Sequence, residues 1–195
     1  MDYLFTLYLY ICSALFLLAE LMFFTDVLFG YSGLSTTRKA AKELCQLLEK
    51  HGVREGVFVD MGSSYGNLAL YVGRKMPGLK VIGFETNPWR VGWAKLKALV
   101  LGISNVSFKK ADAFFSDLRN AAGVYVFLGR ELMPEVEEIL RKKLPYGAIA
   151  VVSTHSLPLW EPLEKVNVHP HRKDDFEVLH VYRKDKRKII EYLGQ

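Results

Sequence analysis

The chain has 195 residues, of which 50% are hydrophobic, 24% charged and 13% aromatic, and its formal net charge is +5. That apolar content excludes a disordered or low-complexity chain and suits one domain with its own core, and the mild basicity is far from that of a histone-like protein. The two cysteines, Cys12 and Cys45, exclude a disulfide framework, a CxxC redox pair and a four-cysteine zinc site.

Tyr3 to Ala19 carries no charge, and after Glu20 the apolar run continues to Phe29. As a helix the uncharged part spans roughly 25 Å and the full run roughly 40 Å. A hydrocarbon core of ~30 Å lies between those lengths, so residues 1–29 are expected to form a single-pass membrane anchor. There is no basic n-region and no small-x-small cleavage site for a signal peptide, and no arginine precedes Arg38 as a transit peptide would require. Asp2 on one flank and Arg38, Lys39 and Lys42 on the other predict that the rest of the chain lies on the cytoplasmic side of a membrane. The other reading is a buried helix of a soluble domain.

Residues 30–195 read as one α/β domain. Gly30-Tyr31-Ser32-Gly33 is a linker, and Ser35, Thr36 and Thr37 are N-cap candidates for a helix running to His51. Gly56 to Gly62 is a β-branched, aromatic burst that reads as a buried strand ending in Asp60. A helix follows from Asn67 to Met76, then a strand from Lys80 to Glu85, a helix from Trp89 to Gly102 and a third strand, Asn105 to Asp112. A fourth strand over Ala122–Gly129, a helix over Met133–Leu144, a fifth strand from Gly147 and a late strand over Phe176–Arg183 complete the pattern, with Val166–Val168 a further strand candidate. Such alternation predicts a Rossmann-like, doubly wound, mostly parallel sheet.

In a sheet of that kind ligands bind outside the carboxyl ends of the strands, and Asp60, Glu85 and Asp112 end three consecutive predicted strands. Between the first of these and its helix runs Asp60-Met61-Gly62-Ser63-Ser64-Tyr65-Gly66, whose two glycines permit a tight turn and close ligand approach. A dinucleotide loop would need G-x-G-x-x-G; counted from Gly62, Ser64 and Asn67 stand where its later glycines belong. An acid before the loop repels phosphate and attracts an ammonium group. The D-x-G-x-x-x-G spacing therefore suits S-adenosylmethionine, with Glu85 accepting from the ribose hydroxyls and Asp112 from the adenine amine. Ser63, Ser64, Thr86, Asn87 and Ala113, flanking these positions, complete the expected cofactor site. Asp112 has a second reading as the N-cap of the next helix, and Gly66 as a helix–sheet packing position.

Glu85-Thr86-Asn87-Pro88-Trp89, Val126-Phe127-Leu128 and the stretch KKLPYGAIAVVSTHSLPLWEP resemble the small membrane-anchored seven-strand protein-lysine methyltransferases. Members of that family act on the mitochondrial adenine nucleotide translocase and the ATP synthase c subunit. The resemblance runs from about Leu34 to Pro162 and includes the preceding hydrophobic segment. From the family's D-x-G-S-G-D-G-R motif Asp60, Gly62, Ser63 and Gly66 carry over, whereas Ser64, Tyr65 and Asn67 depart. The family's Pro-Thr before the first helix matches Ser35-Thr36, which makes Thr36 a cofactor-contact candidate.

The resemblance implies transfer of the sulfonium methyl to an amine, a lysine of a protein substrate at or near a membrane, governed by positioning and desolvation. No N-P-P-Y or D-P-P-Y follows the fourth strand, which argues against amino-nitrogen methylation of DNA bases or glutamine. Phe127 and Leu128, with His155 and Trp160 after the fifth strand, are substrate-side candidates. Core packing is an equal reading of Phe127 and Leu128, and a loop histidine without a catalytic role is the favoured reading of His155. No catalytic residue is assigned. His169 and His171 lack further ligands at metal-binding spacing, so no metal is expected. The basic run Arg183–Lys188 has no interleaved aromatics, so nucleic acid is not an expected partner. Two alternatives stay open: a lipid or small-molecule methyltransferase, and a non-catalytic cofactor-binding scaffold.

Overall fold

The computed structural model describes residues 2–28, 36–171 and 177–185. The Gly30–Gly33 linker, Ser35, Phe176 and the basic run beyond Asp185 lie outside them. The chain divides between residues 35 and 36 into two compact units. In the first unit, α1 (Asp2–Leu28) is one unbroken helix. Its stretch Tyr3–Leu21 has 19 residues and none of it is buried, a length of roughly 28 Å.

The second unit alternates strands and helices in the order read from the sequence. They are α2 (Arg38–Lys50), β1 (Gly56–Met61), α3 (Asn67–Lys75), β2 (Leu79–Glu85), α4 (Pro88–Val100), β3 (Val106–Lys110), β4 (Ala121–Val126), α5 (Met133–Lys143), β5 (Ile149–Ser153), β6 (Glu164–Asn167) and β7 (Val178–Arg183). The strands form one sheet in the order β3-β2-β1-β4-β5-β7-β6. β3 to β5 are mutually parallel, while β7 runs antiparallel to both β5 and β6. A parallel partner needs a long crossover, usually a helix. No described helix follows α5, so the last strands return antiparallel where the alternation alone suggested continued parallel pairing.

Phe58, Leu44, Leu48 and Val151 pack on the face covered by α2, α3 and α4. Val59, Met61, Val124 and Leu140 pack on the face covered by α5. β1 runs between β2 and β4, with Asp60 level with Gly83 on one side and Tyr125 on the other. The chain reverses direction across the sheet at β1, which places its carboxyl end at the switch point where such folds bind ligands.

Candidate functional site

The loop after β1 is tied down by backbone and side chain alike. The N–H groups of Gly62 and Ser63 both donate to the Phe84 carbonyl, at 3.0 and 2.8 Å. Gly62 takes φ +82°, and Leu128, just past β4, lies so close that a Cβ added at Gly62 would stand 3.0 Å from its Cδ2. Gly66, at φ +76°, starts α3, and a Cβ there would lie 2.6 Å from Phe108. Its packing role is therefore real, whatever it also offers a ligand.

Glu85 closes the loop from the β2 side. It is buried; Oε2 accepts from Ser64 N at 2.9 Å, and Oε1 accepts from Asn87 N at 2.9 Å and Thr86 Oγ1 at 3.2 Å. Asn87 in turn caps α4 through Oδ1, which accepts from Trp89 N at 2.9 Å. Ser64 adopts φ +49°, a left-handed conformation that costs a side-chain-bearing residue energy. Arg90 holds it there: Nη1 donates to Ser64 Oγ at 3.3 Å, and the guanidinium lies 5.0 Å over the Tyr65 ring. Two of the three departures from the family loop, Ser64 and Tyr65, thus share one partner on α4, and the third, Asn67, accepts from Lys97 Nζ at 2.6 Å. Sequence reading missed Arg90, whose signal is faint: a basic residue on the inward side of an otherwise apolar helix face.

Asp60 is buried beside these groups. Burial, and secondarily the Glu85 carboxylate, push its carboxyl up to about 7. Three buried polar atoms around the loop have no hydrogen-bond partner: Asp60 Oδ2, Ser63 Oγ and Asn87 Nδ2. Orphaned buried polar atoms are costly unless something satisfies them. An acceptor, a hydroxyl and an amide donor left open at the end of β1 and β2 fit a ligand that carries both a cation and polar hydroxyls.

Thr36 and Thr37 divide the work expected of the helix start. Thr37 is the N-cap of α2, its hydroxyl accepting from Ala40 N at 3.1 Å. Thr36 Oγ1 instead meets the Tyr125 hydroxyl at 2.8 Å, on the strand beside Asp60. Burial holds the Tyr125 phenol well above its ordinary range. Thr37 also donates through N and Oγ1 to the two oxygens of buried Glu177, at 2.9 and 2.6 Å. Tyr125 lies within the predicted fourth strand, and Glu177 lies 140 residues from Thr37, so no local pattern exposes either contact.

The remaining candidates are spread more widely. β3 ends at Lys110, and Asp112 stands two residues on, where its Oδ1 accepts from Phe114 N at 2.9 Å and caps a short 3₁₀ turn, Ala113–Phe115. The capping reading therefore describes its contact, and Asp112 is exposed while Ala113 is buried. Phe127 packs against the cluster under α2 and α3, whereas Leu128 borders the loop. His155 follows β5, its N–H bonded to Ser153 O at 2.8 Å. Trp160 is buried: its ring lies 5.6 Å from Tyr182, with the Arg141 guanidinium 5.0 Å over it. The structure thus gives Trp160 a core contact on the α5 side and does not bring it to the loop as a free surface.

Comparison with known proteins gives the family and the fold. Residues 60–164 match the family model described as the ANTKMT methyltransferase domain. Mouse adenine nucleotide translocase lysine N-methyltransferase is 34% identical over 129 residues, covering 65% of this chain and 56% of that protein. The mouse lysine N-methyltransferase of the ATP synthase c subunit is 27% identical over 127 residues, covering 65% and 49%. The chain spans about half the length of the curated relatives it matches. Among solved structures, an RNA methyltransferase from Salinibacter ruber, in complex with S-adenosylhomocysteine, superposes with a TM-score of 0.69 at 20% identity, over 78% of this chain and 95% of that one. At that identity the likeness carries the fold: a Rossmann-like methyltransferase sheet. The family model spans more than half of the chain, from the end of β1 to the start of β6, and the chain belongs to the ANTKMT methyltransferase domain family.

Proposed function

We propose that this protein transfers the methyl group of S-adenosylmethionine to a lysine amine of a protein substrate, at or near a membrane that α1 crosses once. The observation that carries the cofactor reading is the loop Asp60–Gly66 clasped to Glu85, with Asp60 Oδ2, Ser63 Oγ and Asn87 Nδ2 left unsatisfied around it. These groups suit the cofactor's ammonium and ribose; on this reading Thr36, Gly62, Ser64, Gly66 and Thr86 belong to the same cofactor site, and Asp112 and Ala113, which follow β3, to its adenine side. When bound, the cofactor supplies an electrophilic methyl on sulfur. The chain's own residues orient the two reactants and exclude water, which is most of what an in-line displacement requires once the amine is neutral. Leu128, against Gly62, is the apolar wall on the acceptor side, with Phe127 and His155 as the neighbouring candidates.

The relatives' names attach lysine methylation to them, and this supports a lysine acceptor here. The unburied apolar stretch Tyr3–Leu21 supports the anchor, with the domain on the cytoplasmic side. Full-length protein incubated with tritiated-methyl S-adenosylmethionine and membranes tests the reading. Label recovered as methyllysine in a protein band supports it. Label in the organic phase assigns a lipid or small-molecule acceptor, and no label with intact cofactor binding assigns a scaffold. Release of the full chain by alkaline carbonate overturns the anchor.

A further inference from the structure

α4 presents apolar side chains on both of its faces. Val91, Ala94 and Ala98 are buried against the sheet, as an ordinary amphipathic helix requires. On the opposite side Trp89, Trp93, Leu96 and Val100 recur at helical spacing and remain 47%, 43%, 48% and 75% exposed. About half the surface of the two tryptophans and of Leu96, and most of that of Val100, is left open. Contiguous exposed apolar faces of this kind mark interaction sites rather than ordinary surface.

The charge around this face is one-sided. From Thr86 to Ala111 the sequence contains no acidic residue, and apart from the buried Arg90 four basic ones, Lys95, Lys97, Lys109 and Lys110. Lys95 is exposed on α4, and Lys110 is exposed at the end of the edge strand β3, against which α4 packs. Tryptophans beside lysines, on a helix whose outward face is apolar, are the composition of a face that lies at the headgroup level of an anionic bilayer.

We infer that the outward face of α4, centred on Trp93 and Leu96, docks on an anionic lipid surface and so seats the domain flat against the membrane. The inference rests on the membrane reading above and deepens it. A tethered domain meets lipid at high effective concentration, so a modest apolar face with cationic flanks is enough to hold one orientation. The consequence for the site is direct. α4 begins at the Asn87 cap, two residues after Glu85, so docking holds the cofactor loop at the membrane surface. An acceptor amine emerging from the bilayer is then within its reach, and one far out in solution is not.

The test uses the full chain in vesicles of phosphatidylcholine and phosphatidylglycerol whose acyl chains carry bromine, a contact quencher of indole. The Trp93 signal is the difference between wild type and Trp93→Phe. Docking predicts that bromine reduces it roughly twofold or more, because interfacial side chains reach the acyl boundary. Leu96→Glu, with an unchanged thermal transition, should abolish that quenching while the chain still floats with the vesicles. A chain that floats with Trp93 unquenched overturns the docking and leaves the anchor standing. Trp93 unquenched by lipid yet shielded from aqueous acrylamide assigns the face to protein, a second copy or α1, and also overturns it. A chain that does not float overturns the anchor and the docking together.

Discussion

The backbone N–H of Ser64 donates to Glu85 Oε2 at 2.9 Å, which joins the turn after β1 to the carboxylate at the end of β2. Because Glu85 Oε1 is held in the same way by Asn87 N, one buried carboxylate sets the geometry of two loops. On the proposed function its remaining lone pairs are the ones a ribose would use, so the group that shapes the loops would also read the ligand.

Glu85→Gln should therefore weaken S-adenosylhomocysteine binding on two counts. The amide nitrogen turns a donor toward Ser64 N or Asn87 N, and the charge is lost. Hydrogen bonds to a charged group are worth ~1.5–3 kcal/mol, so calorimetric titration should show binding weakened roughly 10- to 100-fold. Wild-type affinity in this variant would separate Glu85 from the cofactor site.

Asp60 supplies a pH dependence with a definite sign. Its carboxyl titrates near 7 in the folded chain instead of at the ordinary 3.8, so between those values the folded state holds a proton that the unfolded state has lost. This group alone makes stability fall as pH rises through that window. A ligand ammonium beside it favours the ionised form. Cofactor affinity should thus rise as pH increases through about 7, with a proton released on binding below that pH. Calorimetry in buffers of differing ionisation enthalpy measures the release, and Asp60→Asn should abolish it.

Gly66→Ala and Gly102→Ala form a pair that separates packing from backbone strain. Both glycines have positive φ, +76° and +64°, but a Cβ at Gly66 would lie 2.6 Å from Phe108 and 2.8 Å from Ala94, whereas nothing lies within 4 Å at Gly102. Left-handed strain costs ~1–2 kcal/mol and overpacking ~1–3 more. Thermal denaturation should show a fall of about 2–4 °C per kcal/mol for a chain of this size, markedly larger for Gly66→Ala. Equal losses would show that Phe108 moves aside without cost.

Thr37→Val removes an N-cap and a hydroxyl donor to Glu177 in one step. The cap is worth ~1 kcal/mol, and a hydrogen bond to a charged group ~1.5–3. A loss of roughly 2–4 kcal/mol in chemical denaturation is expected. Thr37→Ser, which keeps the hydroxyl, should recover most of it.

The alternation of β-branched runs with helical periodicity, and the acids Asp60 and Glu85 at the ends of their strands, were legible in the sequence because both are local. A strand buried on both faces, such as Ile149–Ser153, announces itself by its own residues. A glycine before a helix does so by the turn it permits. The same locality explains why Asp60, Gly62 and Glu85 could be placed on one rim before any contact was known: in a parallel sheet every strand delivers its end to the same side.

What only tertiary structure decided is the set of pairings between distant segments. β7 slots between β5 and β6, and among the described residues no crossover helix follows α5, a choice made by packing rather than by any signal within Val178–Arg183. Glu177 reaches back to Thr37, and Tyr125 to Thr36; each residue looks unremarkable where it stands in the chain. Trp160 went into the core beside Tyr182, because an aromatic in a loop packs wherever the sheet leaves room for it. Local propensity names elements and their ends. The desolvated polar contacts that shape a site form only once those elements have met.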